Sequence, residues 1–358
     1  MYALIMAGGR GVRFWPRSRN RKPKHLLDIV TDRTIIQETV DRIKPLIPTR
    51  NIVIVTGKSH ARELIRQLPE IPQENILIEP MGRNTAACIG YAAVHIQKRA
   101  KDAVMVVLPS DHGIGDPGHY REVIAAAAAA AQKKNALVTI GLKPDQPHTG
   151  FGYMEGGTVA GRVQGMKVLR VRSFREKPGL RQARSFLEKG NFFWNSGMFF
   201  WRISDFLDEL DRVRPALAMA VRDMAEAAKE GDELGVHKIF EKLEDISIDY
   251  ALMEHARRVV MARAEFPWDD IGAWPALDRT MARDSRGNAG RGEPVLIDCD
   301  NCIVYNEPGS GKVAVGVVGC EDLIVVVTSD GVLVAPKDRA QDVRRIVAEL
   351  KARGTGQI

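Results

Sequence analysis

Cysteine is scarce in this chain. Cys88, Cys299, Cys302 and Cys320 are the only four in 358 residues, which excludes a small scaffold stapled by disulfides. Cys299 and Cys302 have the C-x-x-C spacing of zinc ligands, but no second such pair and no histidine pair completes a set of four. Cys302, beside Ile303 and Val304, reads as a small core residue. Aromatic residues are few, at 6%. They do not interleave with basic ones, so nucleic acid is set aside as a partner despite a formal charge of +7. No apolar run approaches the length of a membrane span. No signal peptide is expected, because the first residues themselves read as a buried strand. A reduced, cytoplasmic setting away from membranes follows as an expectation.

What remains is ordinary globular composition, 45% hydrophobic and 27% charged, in a chain long enough for two domains. Up to about residue 145, short apolar runs alternate with helical patterns. The runs are Leu4-Ile5-Met6, Ile52–Val55, Ile76-Leu77-Ile78, Val104–Leu108 and Leu137–Ile140. Helices are expected near 34–46, 59–68, 85–100 and 118–134, the last holding the run Ala125–Ala131. That alternation predicts an α/β fold with a mostly parallel sheet covered on both faces. More strands are expected over 150–203, and helices near 204–229, 247–257 and 338–352. After Gly287 the texture changes to short β-branched runs separated by Gly, Asn or Asp. This predicts a small β-solenoid, with a boundary between domains 1–285 and 286–358. So short a solenoid leaves an end to be covered by a second subunit.

The first strand runs into Ala7, Gly8, Gly9, Arg10, Gly11, Val12 and Arg13, with Pro23-Lys24 further on. Glycines let backbone amides approach phosphate oxygens. Arg13 can fork onto them and Lys24 can add a point charge, both from a loop open to solvent. The loop lacks the Lys-Ser or Lys-Thr of a P-loop. It also lacks the third glycine of a dinucleotide fingerprint, because position 14 is Phe14. Arg17, Arg19, Arg21 and Lys22 add to the positive charge, which suits a polyanionic small molecule.

Ligands of parallel sheets sit outside the carboxyl ends of strands. The turn Pro109-Ser110-Asp111-His112 follows one such end. Asp111 can cap a helix, or can meet an acid of Trp268-Asp269-Asp270-Ile271-Gly272 at a phosphate and hold Mg²⁺. Glu176-Lys177-Pro178 is a surface turn or a contact for a sugar hydroxyl and a second phosphate. Asn195, in the apolar run 193–200, either holds its own loop or faces a sugar. Gly152 lets a ring approach the backbone, or makes a hairpin turn.

Taken together, these segments resemble the nucleotide-sugar pyrophosphorylases, over almost the whole chain and in the expected order. Phe14-Trp15-Pro16, Glu79–Ala86, Pro109–His112, Glu176–Pro178, Trp194–Met198, Ser247–Tyr250 and Trp268–Gly272 are similar to the branch that makes GDP-mannose. The resemblance implies a Rossmann-like nucleotidyltransferase domain with a mixed sheet, followed by a β-helix-like domain that makes a homodimer. It implies transfer of GMP from GTP to mannose 1-phosphate, giving GDP-mannose and pyrophosphate with Mg²⁺. Ala7, Gly8, Gly9, Gly11, Arg13, Lys24, Asn84, Thr85 and Ser110 would then bind the nucleotide, and Asp111 and Asp270 the metal. Gly152, Glu176 and Asn195 would hold the sugar and Lys177 its phosphate, with Arg13, Lys24 and Lys177 as the catalytic cations. Relatives often read Pro-Lys-Gln-Phe where this chain has Pro23-Lys24-His25-Leu26, so no role is expected of His25. An enzyme with another base or sugar, and a non-catalytic sensor, are the alternatives.

Overall fold

Tyr2–Ala7 (β1) carries no charge and lies between two parallel neighbours in the computed structural model. The structure describes residues 1–9, 11–307 and 313–357, so Arg10 of the basic cluster lies outside it. Two compact units are present. One comprises Met1–Gly8, Asp41–Pro109 and Gly115–Pro267, the other Gly9–Val40, Ser110–Ile114 and Trp268–Ile358.

The first unit is built on a nine-stranded sheet. Its further strands are β2 (Ile52–Gly57), β3 (Ile76–Glu79), β4 (Val104–Pro109), β5 (Leu137–Leu142), β6 (Tyr153–Val163), β7 (Met166–Arg175), β8 (Phe192–Arg202) and β9 (Val259–Ala264). They lie in the order β3-β2-β1-β4-β8-β5-β9-β7-β6. All five apolar runs of the first 145 residues are strands here. β1 to β4 pair in parallel, while β8 enters antiparallel between β4 and β5. The sheet is therefore mixed, as expected. Every residue of β5 is buried, and β8 leaves only Gly197 and Arg202 part-exposed, as strands covered on both faces require.

The alanine run lies in the helix Pro117–Lys134, capped by Asp116, which accepts from the His119 N–H at 3.0 Å. Ala126, Ala127, Ala130 and Ala131 are buried, so the run is a packing face and not a linker. One expected helix, 204–229, is two: Ile203–Val213 and Pro215–Glu230. Pro215 has no N–H to continue the first and starts the second at its N1 position. Helices Leu180–Lys189 and Glu233–Phe240 were not expected from the pattern. Among the described residues, no helix is long and apolar enough to cross a membrane.

The second unit packs the N-terminal loop on C-terminal residues. Phe14, Trp15, Leu27 and Ile29 share one core with Trp274, Tyr305, Ile324 and Leu333. Its strands are β10 (Ala289–Arg291), β11 (Val295–Ile297), β12 (Ile303–Asn306), β13 (Gly316–Val318), β14 (Leu323–Val327) and β15 (Val332–Pro336). β10, β12 and β14 stack in parallel, as do β11 and β13, while β15 returns antiparallel. Stacked short parallel strands are the expected solenoid. Cys299 and Cys302 pack inside it against Val304, Val317 and Val325, the core role read for Cys302.

Arg17 and Arg19 are consumed by this packing. Arg17 is buried and paired with Asp28 and Glu307. Arg19 pairs with Asp330 and donates to the Gln357 carbonyl. Only part of the basic cluster is therefore left for a ligand. Trp274 sits at the centre, fully buried, its ring 5.0 Å from Phe14 and 5.2 Å from Tyr305, its Nε1 donating to Trp15 O at 3.1 Å. Trp274→Ala should cost about 3–5 kcal/mol, read as a lower urea midpoint. A midpoint within error of wild type would show that this core is not needed for stability.

Candidate active site

Gly11 lies in the left-handed region at φ 45°, and a Cβ on it would sit 3.1 Å from the Lys24 backbone nitrogen. The loop therefore closes on Lys24, and only glycine fits there without strain. Lys24 is 8% exposed, so the expectation of a solvent-facing cation is corrected. Its Nζ lies 2.6 Å from Asp111 Oδ2, 2.7 Å from the Asp270 carbonyl oxygen and 3.0 Å from that of Ile271. An ammonium has three protons, and these three acceptors take them all. Arg13, half-buried, donates to the Gly272 carbonyl at 3.1 Å. Both expected phosphate cations thus grip one turn, Asp270 to Gly272.

Burial alone disfavours a charged Asp111, but Lys24 outweighs it and holds the carboxyl down at about 2, with help from His112. His112 Nε2 is 4.0 Å from Asp111 Oδ1, while its Nδ1 accepts from Trp268 Nε1 at 3.2 Å. Ser110 is buried and presents its carbonyl to Thr39 Oγ1 at 3.4 Å.

The neighbouring acids divide their work. Asp269 is buried: one oxygen accepts from the Ile271 N–H at 2.7 Å and the other pairs with Arg279. Asp270 has no hydrogen bond or ion pair from its carboxylate to any described residue. Ile271, a β-branched residue, is held at φ 43°, a strained conformation that the Asp269 contact helps maintain. Among the described residues, no cluster of three or more His, Cys, Asp and Glu side chains could hold a metal. A Mg²⁺ bound chiefly by phosphate and water needs only one or two carboxylates. Asp111 and Asp270, linked through Lys24, fit that requirement.

The expected sugar residues meet in the first unit. Asn195, on β8, donates through Nδ2 to Asp249 Oδ1 at 2.9 Å. Its Oδ1 accepts from the Gly197 N–H at 3.2 Å and faces Thr139 Oγ1 at 3.0 Å. Asn195 thus holds its own loop and keeps one amide proton spare. The Asn195 N–H donates to the Gly152 carbonyl at 2.8 Å. A Cβ on Gly152 would fall 2.5 Å from Glu176 Oε2, so glycine makes room for that carboxyl. Lys177 Nζ is 3.3 Å from Glu176 Oε1 and its side chain is 57% exposed, open to a ligand's charge.

Asp249 and Glu79 lie in motifs read from the sequence but were given no role there. Burial, then the charge of Glu176, pushes Asp249 up to about 7. Burial also raises Glu176, against the pull of Lys177. Glu79 closes β3 and is pushed up to about 7 by burial alone. It lies beside Gly8, with Oε1 3.9 Å from where a Cβ would stand. Asn84, at φ 61°, accepts from the Thr85 N–H at 3.0 Å, and Thr85 Oγ1 accepts from the Ile248 N–H at 2.8 Å. The Thr85 hydroxyl is therefore part of the fold, while Asn84 stays exposed.

The Asp249 environment has a stability consequence. The fold keeps its proton up to about pH 7, whereas an ordinary carboxyl releases it near 3.8. Between those values the unfolded chain binds fewer protons, so stability falls as pH rises through this window. Asp249→Asn removes that titration. Its melting temperature relative to wild type should rise from pH 5 to pH 8, and a constant difference would contradict the assignment.

Known proteins resemble this chain along nearly its whole length. Residues 2–286 match the family model described as Nucleotidyl transferase. Residues 292–350 match that of a MannoseP isomerase/GMP-like beta-helix domain. The chain is 37% identical to Xanthan biosynthesis protein XanB of Xanthomonas campestris pv. campestris, over 99% of this chain and 74% of that protein. It is 36% identical to a mannose-1-phosphate guanylyltransferase of Escherichia coli K12, again over 99% and 74%. A solved structure from Thermus thermophilus, described as a mannose-1-phosphate geranyltransferase, superposes with a TM-score of 0.88 at 33% identity, covering 98% of this chain and 99% of that one. With the family match spanning residues 2–286, and such relatives along nearly its whole length, the chain belongs to the nucleotidyl transferase family.

Proposed function

We propose that the protein transfers GMP from GTP to α-D-mannose 1-phosphate, forming GDP-mannose and pyrophosphate. The observation that carries this reading is the Lys24 junction. One buried ammonium ties Asp111 to the turn of Asp270 beside a glycine loop, and the Asp270 carboxylate has no partner among the described residues. That is a charge-handling site without a nucleophile. The name of the Escherichia coli relative supports the choice of guanylyl and mannose 1-phosphate.

No nucleophilic side chain is needed. A phosphate monoester is mostly dianionic at neutral pH, with a second pKa of about 6. Its oxygen attacks the α-phosphorus, a new P–O bond forms, and the bond to the bridging oxygen of the β-phosphate breaks as pyrophosphate leaves. Asp111 and Asp270 would hold Mg²⁺, which neutralises phosphate charge as a Lewis acid when bound. Arg13 steadies the triphosphate. Lys24 exchanges Asp111 for a phosphate oxygen as the nucleotide enters, since its three protons are otherwise taken. Lys177 meets the sugar phosphate, Glu176 accepts from a sugar hydroxyl, and Asn195 gives its spare proton to a sugar oxygen. Gly9, Gly11 and Ser110, in the same unit as Lys24, contact the nucleotide.

The division into 1–285 and 286–358 belongs to the same proposal, supported by family matches that end at 286 and begin at 292. So does a homodimer through the C-terminal strands. Val295, Ile297, Val318, Val332 and Val334 are exposed there, apolar side chains that a second copy would cover. Consumption of GTP and the four free cysteines suit the cytoplasm.

A matrix of nucleoside triphosphates against sugar 1-phosphates, read by pyrophosphate release, tests the reading. GTP with mannose 1-phosphate should give the highest kcat/KM. Mannose should be preferred over glucose by at least ~10-fold, or about 1.4 kcal/mol. A better rate with glucose 1-phosphate and UTP or dTTP would keep the reaction class and overturn the substrates. No turnover with any pair would leave a sensor as the alternative.

Two acids separate metal binding from scaffolding. Asp270→Asn should largely abolish turnover with the melting temperature unchanged. Asp269→Asn should lower the melting temperature, because it weakens the Arg279 pair, and should cut turnover less. The reverse ranking of the two in turnover would show that the ligand is Asp269.

A further inference from the structure

Asn195 lies on β8 and Glu176 just past the end of β7. One short turn reaches both. Asp249 Oδ1 accepts from Asn195 Nδ2 at 2.9 Å, and Glu254 Oε1 accepts from the Glu176 backbone N–H at 2.9 Å. These two acids are five positions apart. On an α-helix that spacing turns them about 140° away from each other. Here the segment Asp249–Met253 is π-helical, and the Glu254 N–H donates to the Asp249 carbonyl at 3.0 Å. A turn closed by an i→i+5 bond holds one more residue than an α turn, so both carboxylates come round to the same side.

The consequence is chemical. With Asn195 Oδ1 engaged by Gly197 and Thr139, and one Nδ2 proton given to Asp249, the amide cannot flip and presents a donor only. Glu254 pins the backbone at Glu176, immediately before Lys177, which is held at φ 46°. That is a costly conformation for a lysine, and the pinned neighbour keeps the Glu176 carboxyl against Gly152.

We propose that the π-turn Asp249–Glu254 is the positioning element of the sugar site, with Asp249 setting Asn195 as a hydrogen-bond donor and Glu254 fixing Glu176 as the acceptor beside it. This rests on the sugar-binding reading of Asn195 and Glu176. Neither Asp249 nor Glu254 is assigned a contact with substrate.

Steady-state kinetics on the intact protein test it, using the sugar 1-phosphate that wild type turns over best. A misplaced contact can cost up to ~100-fold. Asp249→Ala should raise KM for the sugar phosphate about ten- to hundredfold, with KM for the nucleoside triphosphate within about twofold. Asp249→Asn should recover most of the loss, because its Oδ1 accepts the same bond. The double variant Asn195→Ala/Asp249→Ala should be no worse than Asn195→Ala alone, since one acts through the other. Glu254→Gln should likewise retain sugar affinity that Glu254→Ala loses. Should Asp249→Ala fail to fold, the Glu254 pair carries the same comparison. Equal rises in both KM values, conservative variants as poor as the alanines, or additive losses in the double variant would overturn the positioning role. Absence of wild-type turnover with every sugar phosphate would instead overturn the function on which it rests.

Discussion

A lysine ammonium taken out of water must find an acceptor for each of its three protons, and Lys24 finds them on segments far apart in sequence. Asp111 supplies one, and the carbonyls of Asp270 and Ile271 supply the others. Leaving any of them unpaired costs about 1–3 kcal/mol, so the segments are held to one arrangement. Gly11 must lack a side chain because the loop lies directly on Lys24. Asp111 stays ionised because that ammonium faces it. The glycine loop and two candidate metal carboxylates are thereby assembled around one buried charge.

The second cluster is built on the opposite sign. Glu176, Asp249 and Glu254 crowd several carboxyls around one amide, and burial together with mutual repulsion lifts two of them above their ordinary range. Such a cluster is unfavourable unless the hydrogen bonds it makes are needed. Asn195 and the Glu176 backbone take those bonds. The arrangement leaves one donor and one acceptor side by side, which suits a ring bearing hydroxyl groups.

Much of this could be read along the chain. The strands up to residue 142 follow from apolar runs, the C-terminal solenoid from short β-branched runs between turn residues, and the loop from its glycines. Asp270 is distinguished from Asp269 only by its place in a motif, and the fold supplies the physical reason: Asp269 is spent on Ile271 and Arg279. Lys24 was legible as a cation but not as a buried one. Arg17 and Arg19 looked like ligand charges and prove to be structural pairs. Glu79 and Asp249 lay within recognisable segments, but their burial could not be read, since a single acid at a strand end or in a helix start carries no local pattern of it.

The sequence by itself determined most of the local elements, the chemistry available at each position and the class of ligand that such chemistry suits. Periodicity, propensity and residue type act over a few neighbours, so they are written in a few neighbours. The tertiary structure alone decided which charges remain available and which are consumed, that β8 enters antiparallel between β4 and β5, and that a π-turn brings Asp249 and Glu254 to one side. Those outcomes depend on partners tens to hundreds of residues away, as Lys24 and Asp270 are, and on burial, which only a completed fold creates.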